Sequence, residues 1–218
     1  MIFPDEIIRS RRKTLAIVID AQARLIVRAP KSCGQERIFA FLAQKEPWIR
    51  RKQAERKSVA VSLPTDNLDG YEFPLLGKKV RIRVGDVKSI VFDGEQILLP
   101  KEKSRERLIK WLKTQAKTCF TAVVDEYANR MNVTYKSLTV ASARTRWGTC
   151  SRENALRFSF RLVYTPMEIV EYVVAHELAH IRHKNHSPLF WNEVERYVPD
   201  YKTRRKWLKM HGGYMQIF

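Results

Sequence analysis

The period of apolar residues changes several times along the chain, and each change marks an element. Alternating stretches at Thr14–Ile19 and Ala23–Val27, on either side of Asp20-Ala21-Gln22, predict two short strands and a turn. A helical period then runs from Gln35 to about Lys57, with Ile38, Phe41, Leu42 and Trp48 as its apolar face. The polar, turn-rich stretch Pro64–Gly70 breaks the pattern. Three further strands are expected at Lys79–Val84, Ser89–Phe92 and Gln96–Leu99, punctuated by Gly85 and Asp93-Gly94 and closed by Pro100.

From Ser104 to Met131 the 3.6-residue period is sustained, and Leu108, Trp111, Leu112, Ala116, Phe120, Val123, Val124 and Tyr127 form its stripe. Two strands are expected next, Ser137–Arg144 and Ala155–Tyr164, joined by a loop carrying Arg146-Trp147-Gly148-Thr149-Cys150-Ser151. Thr165 as N-cap, Pro166 at the first position and Glu168 as the capping-box partner announce a helix. Ser187-Pro188 starts another, to about Val198, and a last helical stretch reaches Lys209 before Gly212-Gly213. The pattern is α+β: a β-rich region 1–100 with one helix, then a region 101–218 that holds the chemistry.

That chemistry sits in the run His176-Glu177-Leu178-Ala179-His180-Ile181-Arg182-His183-Lys184-Asn185-His186, which holds four of the five histidines. Residues i and i+4 share a helix face, so His176 and His180 can reach one ion, with Glu177 in the same cleft. Apolar residues flank the histidines on both sides, which predicts a buried helix with its metal face under a cleft. A catalytic zinc takes three protein ligands and an open position. His186 is the best third ligand, with Glu193, Glu195 and His183 as alternatives. No glycine stands where His183 does, so the chain must turn back at Lys184 or at Asn185, which tolerates left-handed angles. Glu177 is the candidate general base. Arg144, Arg146 and Tyr164 are candidates to bind substrate and meet the developing negative charge. Gly148 would allow close backbone approach, and Cys150 reads as an unremarkable buried thiol.

Composition narrows the setting. A chain of 218 residues with 44% hydrophobic and 29% charged residues can bury a real core. No run is long enough for a membrane span, and Met1–Lys13 lacks the apolar core of a signal peptide. Three scattered cysteines suit free thiols and a cytoplasmic address. A net charge of +18 favours anionic partners and predicts nonspecific nucleic-acid binding at low salt. Oligomeric state is left open.

Arg-Thr-Arg-Trp-Gly-Thr-Cys-Ser at 144–151, Phe-Arg-Leu at 160–162, His-Glu-Leu-Ala-His at 176–180 and Asn-His-Ser-Pro-Leu-Phe-Trp at 185–191 together resemble the YgjP-like metallopeptidase family. These are bacterial zincins related to the SprT-like and wss-type metalloproteases. Arg-Ser-Arg-Arg-Lys-Thr at 9–14 is similar to the family's N-terminal β segment, so the likeness spans most of the chain. Thr149 and Ser159 depart from the residues usual there, serine and asparagine. The resemblance implies a zincin-like catalytic half with Zn2+ on His176, His180 and His186, Glu177 as catalyst, and a polypeptide substrate paired with Ala155–Leu162. A phosphoanhydride hydrolase acting on nucleoside triphosphates, a nucleic-acid-associated protein and a noncatalytic binding module are the competing readings.

Overall fold

The computed structural model describes residues 2–20, 23–59 and 67–211. Most of the expected Asp20-Ala21-Gln22 turn, the start of the Pro64–Gly70 break and the Gly212-Gly213 end lie outside them. Among the described residues, 2–59 form one compact unit and 67–209 a second. The second unit takes in the strands before residue 100 as well as the helices after it.

In the first unit, β1 (Glu6–Ser10), β2 (Ala16–Ile19) and β3 (Leu25–Pro30) make a sheet of order β1-β3-β2. β3 is central, parallel to β1 and antiparallel to β2. Its alternate residues Leu25, Val27 and Ala29 are buried with Ile38, Leu42 and Ile49. The single helix expected over 35–57 is two, α1 (Gln35–Gln44) and α2 (Glu46–Val59). Pro47 explains the break: it has no N–H for the Ala43 carbonyl, and its ring crowds that group. The Lys45 N–H closes α1 on the Phe41 and Leu42 carbonyls. The register after the break turns Ile49 into the core and leaves Trp48 37% exposed, against expectation.

The second unit begins with β4 (Glu72–Leu75), β5 (Lys78–Gly85), β6 (Val91–Phe92) and β7 (Gln96–Pro100), in the order β4-β5-β7-β6. β4 was not foreseen because Pro74 interrupts it, but an edge strand tolerates proline. Leu76 and Gly77 turn the β4–β5 hairpin with positive φ, and the Leu76 N–H donates to the Val163 carbonyl. This sheet is thereby joined to the chemistry-bearing part of the chain.

α3 (Ser104–Met131) runs as its period predicts, burying Leu108, Leu112, Ala116, Phe120, Val124 and Tyr127, with Trp111 and Val123 half-buried. β8 (Ser137–Ala141), β9 (Gly148–Cys150) and β10 (Ala155–Ser159) form a third sheet of order β8-β10-β9. The apolar run expected to extend β10 to Tyr164 instead coils into a 3-10 helix, Phe160–Tyr164. α4 (Met167–Arg182), α5 (Pro188–Tyr197) and α6 (Tyr201–Met210) follow.

One side chain ties three of these helices. Arg182, at the end of α4, donates to the Met131 and Asn132 carbonyls at the end of α3 and pairs with Glu193 of α5. Arg182→Ala should cost about 2 kcal/mol in urea unfolding, because two carbonyls and a mostly buried carboxylate lose a charged donor. Arg182→Lys should recover little of this, since one ammonium does not span the three acceptors.

Candidate metal centre

The start of α4 differs from the capping box the sequence suggests. The Thr165 hydroxyl and N–H both donate back to the Leu162 carbonyl, closing the 3-10 helix, and Pro166 is the N-cap. The 3-10 helix leaves its own carbonyl to be satisfied, and Thr165 is nearer to it than to the first turn of α4. Ile169, Val170, Val173, Val174, Leu178 and Ala179 are buried, so α4 is enclosed on both flanks of its histidines as expected.

α4 ends at Arg182, and His183 is already extended (φ −124°, ψ 97°). Neither Lys184 nor Asn185 takes the left-handed conformation expected of the turn. Side chains shape it instead. Lys184 donates to the Ser151 carbonyl and Asn154 Oδ1, and Asn185 Oδ1 accepts from the Ser187 N–H. Ser187 then caps α5 by accepting from the Phe190 N–H.

The turn returns His186 over α4, with its Nε2 3.2 Å from His176 Nε2. One ligand atom from each of His176, His180 and His186 lies within 4.8 Å of the others. Nitrogens bound at 2.0–2.1 Å to a tetrahedral zinc stand about 3.3 Å apart, a spacing that His176 and His186 already have, with His180 in reach of the same ion. His180 Nδ1 lies 3.0 Å from the His183 carbonyl, which orients the ring and leaves Nε2 for a metal. Burial, then the neighbouring His180 and His186, pull His176 down to about 3, and burial also lowers His180. Both imidazoles are held neutral, the form that binds metal.

The alternative third ligands are placed elsewhere. Glu193 is paired with Arg182 and Glu195 with Lys202. His183 contributes its carbonyl, because α4 stops before its side chain could join the face. Aromatic rings enclose the cluster: Phe190 lies 4.5 Å from His180, Trp191 is stacked on His186, and Tyr172 meets His176 edge-on.

Glu177 is 6% exposed, and burial pushes its carboxyl up to about 8. It packs directly on β9: a Cβ at Gly148 would stand 2.7 Å from both Glu177 Cγ and Oε1. Only glycine leaves that space. The bonds Ser159 N–H to Trp147 O and Ser151 N–H to Ala155 O set the parity of the β9–β10 pairing. Odd residues of β9 face β10, so the N–H and C=O of Gly148 and Cys150 point to the open edge.

This corrects the strand expected to receive substrate. β10 lies between β8 and β9 and has no free edge; β9 is the edge strand. The candidate substrate residues separate likewise. Tyr164 is fully buried, edge-on to Phe73 and Phe160, as a core aromatic. Arg144 is exposed and acts electrostatically on Arg161. Arg146 borders a hollow of about 350 Å³ along β9 with Thr149 and Arg157. Cys150 is half-buried, and burial raises its thiol pKa, in keeping with an inert cysteine.

Two supporting residues went unread as such. Buried Arg161 donates to the Ser142 and Ala143 carbonyls, and the Ser159 hydroxyl also donates to Ala143. Together they hold the loop that delivers β9. A charged residue inside the apolar run 158–164 was the available signal, since such a charge needs acceptors.

A family model described as YgjP-like, metallopeptidase domain, matches residues 13–211. No curated protein and no solved structure matches the chain.

Two outcomes are expected of this geometry. Replacing His176, His180 or His186 singly by Ala should weaken zinc binding at least about 100-fold in competition titrations. His183→Ala should bind normally, because its main-chain carbonyl remains. Folding favours protonated Glu177, so this group's contribution to the stability of the metal-free protein is fully present below the unfolded-state value of about 4.3 and is lost as pH climbs towards 8. Glu177→Gln should therefore raise the metal-free Tm at pH 8 by about 4 °C or more, and hardly at pH 4.5. An equal Tm for both proteins at pH 8 would contradict the buried carboxyl.

Proposed function

Because the chain belongs to the YgjP-like metallopeptidase family, we propose that it is a zinc-dependent peptidase built on His176, His180, His186 and Glu177. The observation that carries this reading is the contact between Glu177 and Gly148 on the open edge of β9. An extended peptide pairing with the outward N–H and C=O groups of Gly148 and Cys150 would run past that carboxyl.

A divalent ion held by the three imidazoles supplies Lewis acidity and eases deprotonation of water. Glu177 takes the proton from the water whose oxygen attacks the peptide carbonyl carbon. As the C–N bond breaks, Glu177 passes that proton to the departing amine nitrogen. A site whose burial favours the protonated carboxyl suits holding the proton between the two steps. Phe190 packs on the His180 ring and Trp191 stacks on His186, which steadies both imidazoles. Arg146, beside β9, is the substrate contact retained from the three candidates.

The test is cleavage of unfolded protein and peptide libraries by the zinc-loaded chain. Glu177→Gln should lower the rate at least about 1,000-fold. Gly148→Ala, which displaces the carboxyl without touching the ligands, should lower it about 100-fold at unchanged zinc content. Hydrolysis of nucleoside triphosphates with no Glu177-dependent peptide cleavage would replace this reading by the phosphoanhydride one.

A further inference from the structure

The first unit carries a cavity that the peptidase reading does not use. It has a volume of about 790 Å³ and lies between the β1–β2 connection, the turn after β3 and one stripe of α1. Arg12, Lys13 and Arg37 line it, with the hydroxyls of Thr14 and Ser32. None of its lining residues is acidic. Like charges converging on a concave surface repel one another and focus a positive potential there.

Arg12 shows that the charge is not internally answered. Its Nε is buried and finds no hydrogen-bond acceptor among the described residues. Its Nη2 has only Thr14 Oγ1, at 3.4 Å. Arg12 lines the cavity with one hydroxyl as the described partner of its Nη2, and an anionic oxygen is the partner such a guanidinium suits best. Arg9 makes the contrast clear: it spends its guanidinium on the Pro30, Lys31 and Cys33 carbonyls.

The cavity is much larger than a phosphate ion, and Leu15, Ala40 and Phe41 give it an apolar portion. On α1, Arg37, Ala40, Phe41 and Gln44 follow one another at helical spacing, opposite the face that buries Ile38 and Leu42. A cationic end beside an apolar, aromatic-bearing side matches a phosphate joined to a flat ring. We propose that this cavity binds a nucleotide, free or as one unit of a single strand, with Arg12 and Arg37 on the phosphate and the base against Phe41. The proposal is independent of the peptidase reading.

Calorimetry on the full chain at about 150 mM salt, where exposed charges are screened, tests it with three probes: AMP, a twelve-nucleotide deoxythymidine strand and a phosphate-free acidic peptide. Saturable binding of AMP or of the strand is expected, and which of the two binds distinguishes a free nucleotide from one in a polymer. Ala40→Trp, which fills the cavity from an exposed helix position, and Arg37→Glu should each weaken that binding about tenfold or more. Circular dichroism should show both variants folded, and their Glu177-dependent activity should be unchanged. His186→Ala should bind the nucleotide as wild type does, which separates this cavity from the histidine cluster. No binding by wild type, equal binding by Ala40→Trp, or equal binding of the acidic peptide would each overturn the proposal.

Discussion

The second unit is organised around one expensive demand: α4 must hold a carboxyl and two imidazoles among apolar neighbours. Desolvation moves Glu177 upward, and desolvation with the neighbouring His180 and His186 moves His176 downward, both far from their ordinary values. Both shifts leave the groups neutral in the metal-free chain, which is how a packed helix accommodates them. A divalent ion would reverse the balance for Glu177, because a nearby cation favours the carboxylate. The site is therefore shaped as a place where the metal completes the electrostatics.

Meeting that demand requires the segments around α4 to be held in place, and arginine does most of the holding. Arg161 fixes the loop before β9, Arg182 joins the ends of α3, α4 and α5, and Arg204 links α6 to the Glu168 carbonyl and Glu171 of α4. Arg9 closes the β3–α1 connection in the same manner. Arg9, Arg161 and Arg182 each donate to main-chain carbonyls beyond or at the end of an element, where orphan acceptors collect. The net charge of +18 is thus only partly a surface field for polyanions. Several of its cations are structural donors.

Legibility followed the length and purity of the pattern. α3 was legible to the residue because eight turns of one stripe outweigh any local preference, and the histidine triad because its spacing fixes which atoms can meet. What stayed hidden was short or doubly determined. The run Phe160–Tyr164 is apolar but for Arg161, so its period does not separate a strand from a 3-10 helix. Pro47 broke α1 from α2 at a position where the apolar spacing continues across it. The turn to His186 depends on Lys184 reaching the β9–β10 connection, a contact 33 residues back along the chain. Local sequence does not encode such a contact.

β9 is the case where a three-residue element, invisible as a strand, explains a motif that was visible as letters. Its glycine answers two constraints at once. On the α4 side it leaves the volume that Glu177 fills, and on the open side it presents an N–H and C=O in line with that carboxyl. A larger residue would meet the second requirement but not the first, since backbone polarity is common to all residues and the missing Cβ is not. The buried carboxyl and the open strand edge thereby meet at one residue, and the missing Cβ is what lets them approach.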